Sequence, residues 1–83
     1  MDVRLTQHVR NKIAELRRYG FDLTEEDIVE TVRNPSRVLQ GYSGQLIAQK
    51  PFTEKHLLRI VYELREEVAL CITVYPARRS RYE

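Results

Sequence analysis

The sequence predicts an α+β domain in which two N-terminal helices pack on one face of a three- or four-stranded antiparallel sheet, in the order β-α-α-β-β-β. Three observations predict it. Apolar residues recur at helical spacing as far as Val32, the period turns strand-like after Pro35, and Asn34-Pro35 marks the change. At 83 residues the chain makes one domain, residues 1–83, whose single core must supply nearly all of its stability.

Asp2-Val3-Arg4-Leu5 alternates polar and apolar residues and predicts a short edge strand. Thr6 offers an N-cap hydroxyl, Val9, Ile13 and Leu16 follow at helical spacing, and Gly20 stands where a left-handed residue ends a helix. A first helix is therefore predicted from about Thr6 to Tyr19. The second has the clearest start in the chain: Thr24 as N-cap, then Glu25, Glu26 and Asp27 in the first turn, with Leu23 placed to staple against Ile28. Ile28, Val29 and Val32 form its predicted buried face. The first helix is basic and the second acidic, which predicts an antiparallel hairpin of the two, joined by Gly20-Phe21-Asp22-Leu23.

Val38-Leu39 and Leu46-Ile47-Ala48 flank the glycine-containing turn Gly41-Tyr42-Ser43-Gly44 and predict a hairpin. The two strongest strands follow over about residues 57–64 and 68–75, joined around Arg65-Glu66-Glu67. A two-residue loop between them mixes polar and apolar residues on both faces. A three-residue loop pairs Leu64 with Val68 and collects Leu58, Ile60, Tyr62, Leu64, Val68, Leu70, Ile72 and Val74 on one apolar face. The other face then holds Leu57, Arg59, Val61, Glu63, Ala69, Cys71, Thr73 and Tyr75, with Arg59 opposite Thr73 and Leu57 opposite Tyr75. Residues 77–83 are predicted as a basic C-terminal tail.

Composition narrows the function classes. The formal charge is +2, and residues 1–76 are balanced, so the excess lies in the tail, with Arg78, Arg79 and Arg81 against Glu83. That suits a phosphate-bearing partner but falls short of a dedicated non-specific nucleic-acid binder. No apolar run approaches the roughly 20 residues of a membrane-spanning helix, and no secretory leader opens the chain, so a cytoplasmic protein without a membrane partner is expected. Cys71 lies within an apolar strand and reads as a small hydrophobe rather than a nucleophile. The His, Cys and acidic residues lack metal-ligand spacing. No phosphate-binding Gly-rich loop or nucleophile elbow is present.

Chemistry-bearing residues collect on the helix-free face and beyond it. Arg59, Thr73 and Tyr75 share that face, and Arg78, Arg79, Arg81 and Tyr82 continue past Pro76. Arginine forks match phosphate oxygens, and tyrosine can stack on a base or donate a proton. A solvated sheet face and a tail with no ligand account for the same residues. His8 and His56 are the only histidines, and either imidazole can act as a base near neutral pH.

Taken together, Thr6-Gln7-His8, Asn34-Pro35, Leu58-Arg59-Ile60-Val61-Tyr62 and Ile72-Thr73-Val74-Tyr75-Pro76 resemble a widespread family of small prokaryotic proteins of unknown function. That family is similar in fold to the BrnT and RelE-type toxins, and the resemblance spans nearly the whole chain. Ala77-Arg78-Arg79-Ser80-Arg81-Tyr82 resembles the Arg- and Tyr-containing segment that ends BrnT-like chains. The resemblance implies a ribonuclease that needs no metal or other cofactor and is held inactive by an antitoxin protein. It implies catalytic roles for Arg59, Arg78 and Arg79 in charge stabilisation, Tyr75 or Tyr82 in stacking or proton donation, and His8 as base. Thr73, Arg81 and Tyr82 are the implied RNA-binding residues. The alternative is a non-catalytic module that binds a protein partner, or a second copy of itself as a homodimer, through the outer-face residues Leu57, Val61, Ala69, Cys71 and Tyr75. A third reading is nucleic-acid binding without catalysis.

Overall fold

The computed structural model describes residues 1–82 as an α+β domain with a five-stranded mixed sheet. In chain order its elements are β1 (Asp2–Leu5), α1 (Gln7–Arg18), α2 (Glu25–Arg33), β2 (Arg37–Gln40), β3 (Leu46–Pro51), β4 (His56–Arg65), β5 (Val68–Arg78) and α3 (Arg79–Tyr82). The strands lie in the order β1-β5-β4-β3-β2. The α+β class holds, but the expected three- or four-stranded antiparallel sheet does not. Strands β2 to β5 form an antiparallel meander, and β1 joins the open edge of β5 in parallel, Asp2 beside Val68 and Leu5 beside Cys71. A parallel pair needs a long crossover, and everything from α1 to β4 provides it.

The helix ends are where the sequence placed them. The Thr6 hydroxyl accepts from the Val9 amide at 3.2 Å. Gly20, at φ +92°, closes α1 with the Gly20 amide on the Arg17 carbonyl and the Phe21 amide on the Leu16 carbonyl. That is the paired bonding of a left-handed helix stop, which a residue with a Cβ adopts only with strain. At the start of α2, the Thr24 hydroxyl accepts from the Asp27 amide and the Asp27 carboxylate accepts from the Thr24 amide at 2.9 Å, a reciprocal capping box.

The expected helix hairpin is corrected by the packing. Each helix rests on the sheet, α1 against β5 and β1, and α2 against β3, β4 and β1. The opposite charges meet only at the surface, where Arg10 lies 3.5 Å from Glu25. Apolar faces find more burial on the sheet than on one another, and exposed ion pairs contribute little to holding helices together. Val9, Ile13 and Leu16 of α1 and Ile28 and Val32 of α2 pack with Ala48, Leu58, Ile60, Tyr62, Ala69, Cys71 and Val74 in one core.

The register of β4 and β5 differs from the expected one. Arg65 pairs with Val68 across a two-residue turn, Leu64 pairs with Ala69, and Tyr62 pairs with Cys71. A β-bulge follows: Val61 pairs with Thr73, leaving Ile72 as the extra residue. Beyond it Ile60 faces Val74, Arg59 faces Tyr75 and Leu57 faces Ala77, so neither Arg59 with Thr73 nor Leu57 with Tyr75 forms a direct pair. The bulge explains how a register that would mix the faces becomes acceptable. Ala69 and Cys71 lie under α1, where small side chains let the helix approach closely. The extra residue then resets alternation so that Val74, rather than Thr73, enters the core. Val68, Leu70 and Ile72, expected in the core, are only half-buried.

The basic tail is folded onto the sheet. Ala77 and Arg78 are the last residues of β5, and Arg79–Tyr82 turns into α3, which packs against β5 and β4. Glu83 lies outside the described residues.

Candidate functional site

One row of side chains crosses the sheet on the face opposite α1 and α2. Arg37 of β2 pairs with Gln49 of β3, Gln49 with Arg59 of β4, and Arg59 with Tyr75 of β5. Because α3 folds back over β4 and β5, the centre of this row is buried: Gln49 is 3% exposed and Arg59 6%. Leu57, in the next row beside Ala77, is buried as well.

The Arg59 guanidinium is held by aromatic faces. Its central carbon lies 4.2 Å from the centroid of the Tyr82 ring and 5.7 Å from that of Tyr75, both within cation–π range. Gln49 donates from Nε2 to the Tyr82 carbonyl at 3.4 Å. Two fully buried polar atoms remain without a hydrogen-bond partner among the described residues, Arg59 Nε and Gln49 Oε1. Arg59 also forms no ion pair among the described residues. Glu63, the next carboxylate along β4 on the same face, is engaged by Arg65 at 2.9 Å. A buried cation without a carboxylate is costly, which marks Arg59 as a candidate functional group.

The other residues singled out from the sequence divide around this row. Tyr75, Pro76, Ala77, Arg78, Arg81 and Tyr82 line an adjoining groove of about 360 Å³. Arg78 pairs with His56, so alternation aims it toward the helix side of the sheet end, where His56 meets the Phe21 ring edge-on at 5.1 Å. Arg79 does not join Arg59. Its backbone amide donates to the Lys55 carbonyl at 2.9 Å and its guanidinium reaches the Glu54 carbonyl at 3.5 Å, which anchors the base of α3. Thr73 lies two residues from Tyr75, at the edge of β5 where β1 has ended. His8, in the first turn of α1, reaches across that edge to place Nε2 3.2 Å from the Thr73 hydroxyl.

Gln49 was missed at the sequence level. It reads as one polar residue ending an apolar strand, and only the β3–β4 register sets it beside Arg59. Ala69 and Cys71, assigned to the outer face, belong to the core. Burial pushes the Cys71 thiol up to about 11 and also raises the facing Tyr62 hydroxyl, with Cys71 as the smaller cause, so at neutral pH the thiol keeps its proton. A larger concavity, of about 630 Å³ at the start of α2, is lined by Glu25, Glu26, Asp27 and Glu30, a set that repels anions. Among the described residues no three His, Cys, Asp or Glu side chains converge to hold a metal ion, and no helix is long and apolar enough to cross a membrane. No family model, curated protein or solved structure matches the chain.

Proposed function

We propose that the chain binds single-stranded RNA across the outer face of its sheet and cleaves it without a metal cofactor, as the resemblance read from its sequence to a family with a toxin-like fold implies. The observation that carries this reading is Arg59, a buried guanidinium with aromatic rings against it, no carboxylate partner among the described residues, and a groove beside it that bears Arg78 and Arg81. Cations beside π-faces form the standard platform for single-stranded nucleic acid, the cations taking phosphates and the rings taking bases.

In the cleavage step the ribose 2′-oxygen attacks the adjacent phosphorus, the bond to the 5′-oxygen breaks, and a 2′,3′-cyclic phosphate forms. Arg59, with Arg81, stabilises charge on the phosphoryl oxygens. The 2′-hydroxyl proton goes to a base and the leaving 5′-oxygen takes a proton from an acid. His8, beside Thr73, and Tyr75, beside Arg59, are the candidates for these two transfers. Arg79 has the role of anchoring α3 rather than touching phosphate. An antitoxin protein that covers this face would silence the activity.

The test is incubation of the purified chain with a 5′-labelled single-stranded RNA in a chelator. Fragments ending in 2′,3′-cyclic phosphate are expected, and intact RNA across a range of sequences contradicts catalysis. A second reading is supported by the half-buried aliphatic row Leu39, Ile47 and Val61, which lies open beside the site. It suits a protein partner or a homodimer, and a strictly monomeric mass by light scattering at high concentration counts against the homodimer.

A further inference from the structure

We propose that Gln49 reads the edge of a nucleobase stacked on the Arg59 guanidinium, and that Tyr82 occupies the place of that base in the free protein. The proposal rests on the RNA-binding reading above and names what the buried part of the site recognises. Gln49 and Arg59 are direct cross-strand partners, each more than nine-tenths buried. The Gln49 amide presents an acceptor without a partner, Oε1, beside a donor, Nε2, that the Tyr82 carbonyl now takes. A phosphate offers only acceptors and leaves the Gln49 oxygen facing lone pairs. A base edge offers an acceptor and a donor side by side, as uracil does with a carbonyl oxygen and N3–H, and satisfies both.

Tyr82 supports the same ligand class by imitation. It lays a flat aromatic ring over the Arg59 guanidinium at 4.2 Å and sets a carbonyl oxygen against the Gln49 amide at 3.4 Å. A stacked base supplies both features with its own ring and its own carbonyl. A peptide needs an aromatic side chain and a separate backbone group to supply these, as Tyr82 does, whereas a base carries ring, carbonyl and N–H in one rigid plane. Tyr82 sits at the end of a helix of four residues whose base is tied to the Lys55 carbonyl. An incoming base can therefore displace the ring without unfolding the sheet, after which the ring is free to close on the base's other face. The phosphates then lie along the groove toward Arg81.

The test is fluorescence anisotropy on the full chain with three labelled hexamers of equal charge: 2′-fluoro-uridine, its N3-methyl derivative, and an abasic strand. None of the three is cleaved through a 2′-hydroxyl. The uridine strand is expected to bind at least about tenfold more tightly than either of the others, the discrimination of one two-point contact. Gln49→Met, which keeps the side chain's shape, is expected to remove that preference while salt-dependent binding persists. Equal binding of the uridine and N3-methyl strands by the unaltered chain overturns the base-reading proposal and leaves RNA binding standing. Failure of all three strands to bind overturns both and favours a protein ligand for the face.

Discussion

On the ribonuclease reading proposed above, Arg59→Met is expected to lower RNA cleavage by about 100- to 1,000-fold, the usual effect of removing a buried group that stabilises transition-state charge. The fold should not suffer. Methionine keeps most of the aliphatic stem that packs beside Leu57 and Val61, and it removes a desolvated cation that has no carboxylate partner among the described residues. The thermal midpoint is therefore expected to hold or rise while activity collapses. Arg59→Lys keeps the charge but loses the planar fork that lies against Tyr82 and Tyr75, so it should fall between the two. Activity within twofold of the unaltered chain after Arg59→Met contradicts the assignment. A large loss of stability would give Arg59 a structural role instead.

Cys71→Asp is expected to unfold the domain, and Leu70→Asp to be tolerated. Cys71 is fully buried under α1, opposite Tyr62, so a carboxyl there loses its hydration with no partner provided. That penalty is several kcal/mol, comparable to the total stability of about 5–15 kcal/mol that single domains possess. Leu70 lies on the outer face and is half-buried, so an aspartate can reach water at a cost of about 1–2 kcal/mol of lost apolar burial. Circular dichroism in urea separates the outcomes. The reverse pattern, Leu70→Asp unfolded and Cys71→Asp folded, would restore the uniform-face register and remove the bulge at Ile72.

The fold was legible where a residue's meaning is local. Thr6, Thr24 and Gly20 act within one turn of their own position, and the structure uses each as the sequence predicts. It was not legible where meaning depends on a partner far along the chain. From Val68 to Ile72 both parities are apolar, so alternation could not choose a face. The criterion of a uniformly apolar face favoured the larger residues, whereas a close-packed helix selects the smaller Ala69 and Cys71. The pairing of β1 with β5 joins residues more than sixty positions apart, and a four-residue strand carries no signal for a parallel partner.

The candidate site divides along the same line. Arg59 and Tyr75 were placed on one face because the bulge restores even parity between those two segments, although their direct pairing was not foreseen. Tyr82 joined them because α3 folds back, and Gln49 joined them through a hairpin whose register the sequence leaves open. Arg79 looked equivalent to its neighbours Arg78 and Arg81, but its place at the start of α3 directs it to the Glu54 carbonyl.

Amide chemical-shift mapping on isotope-labelled chain, titrated with the uncleavable 2′-fluoro-uridine hexamer, tests the central claim most directly. Shifts concentrated on Gln49, Arg59, Tyr75, Arg81 and Tyr82, with α1 and α2 unmoved apart from the His8 end, are the predicted result. Shifts confined to the outward surfaces of the two helices, or none at saturating RNA, would contradict the assignment of the outer sheet face as the functional surface.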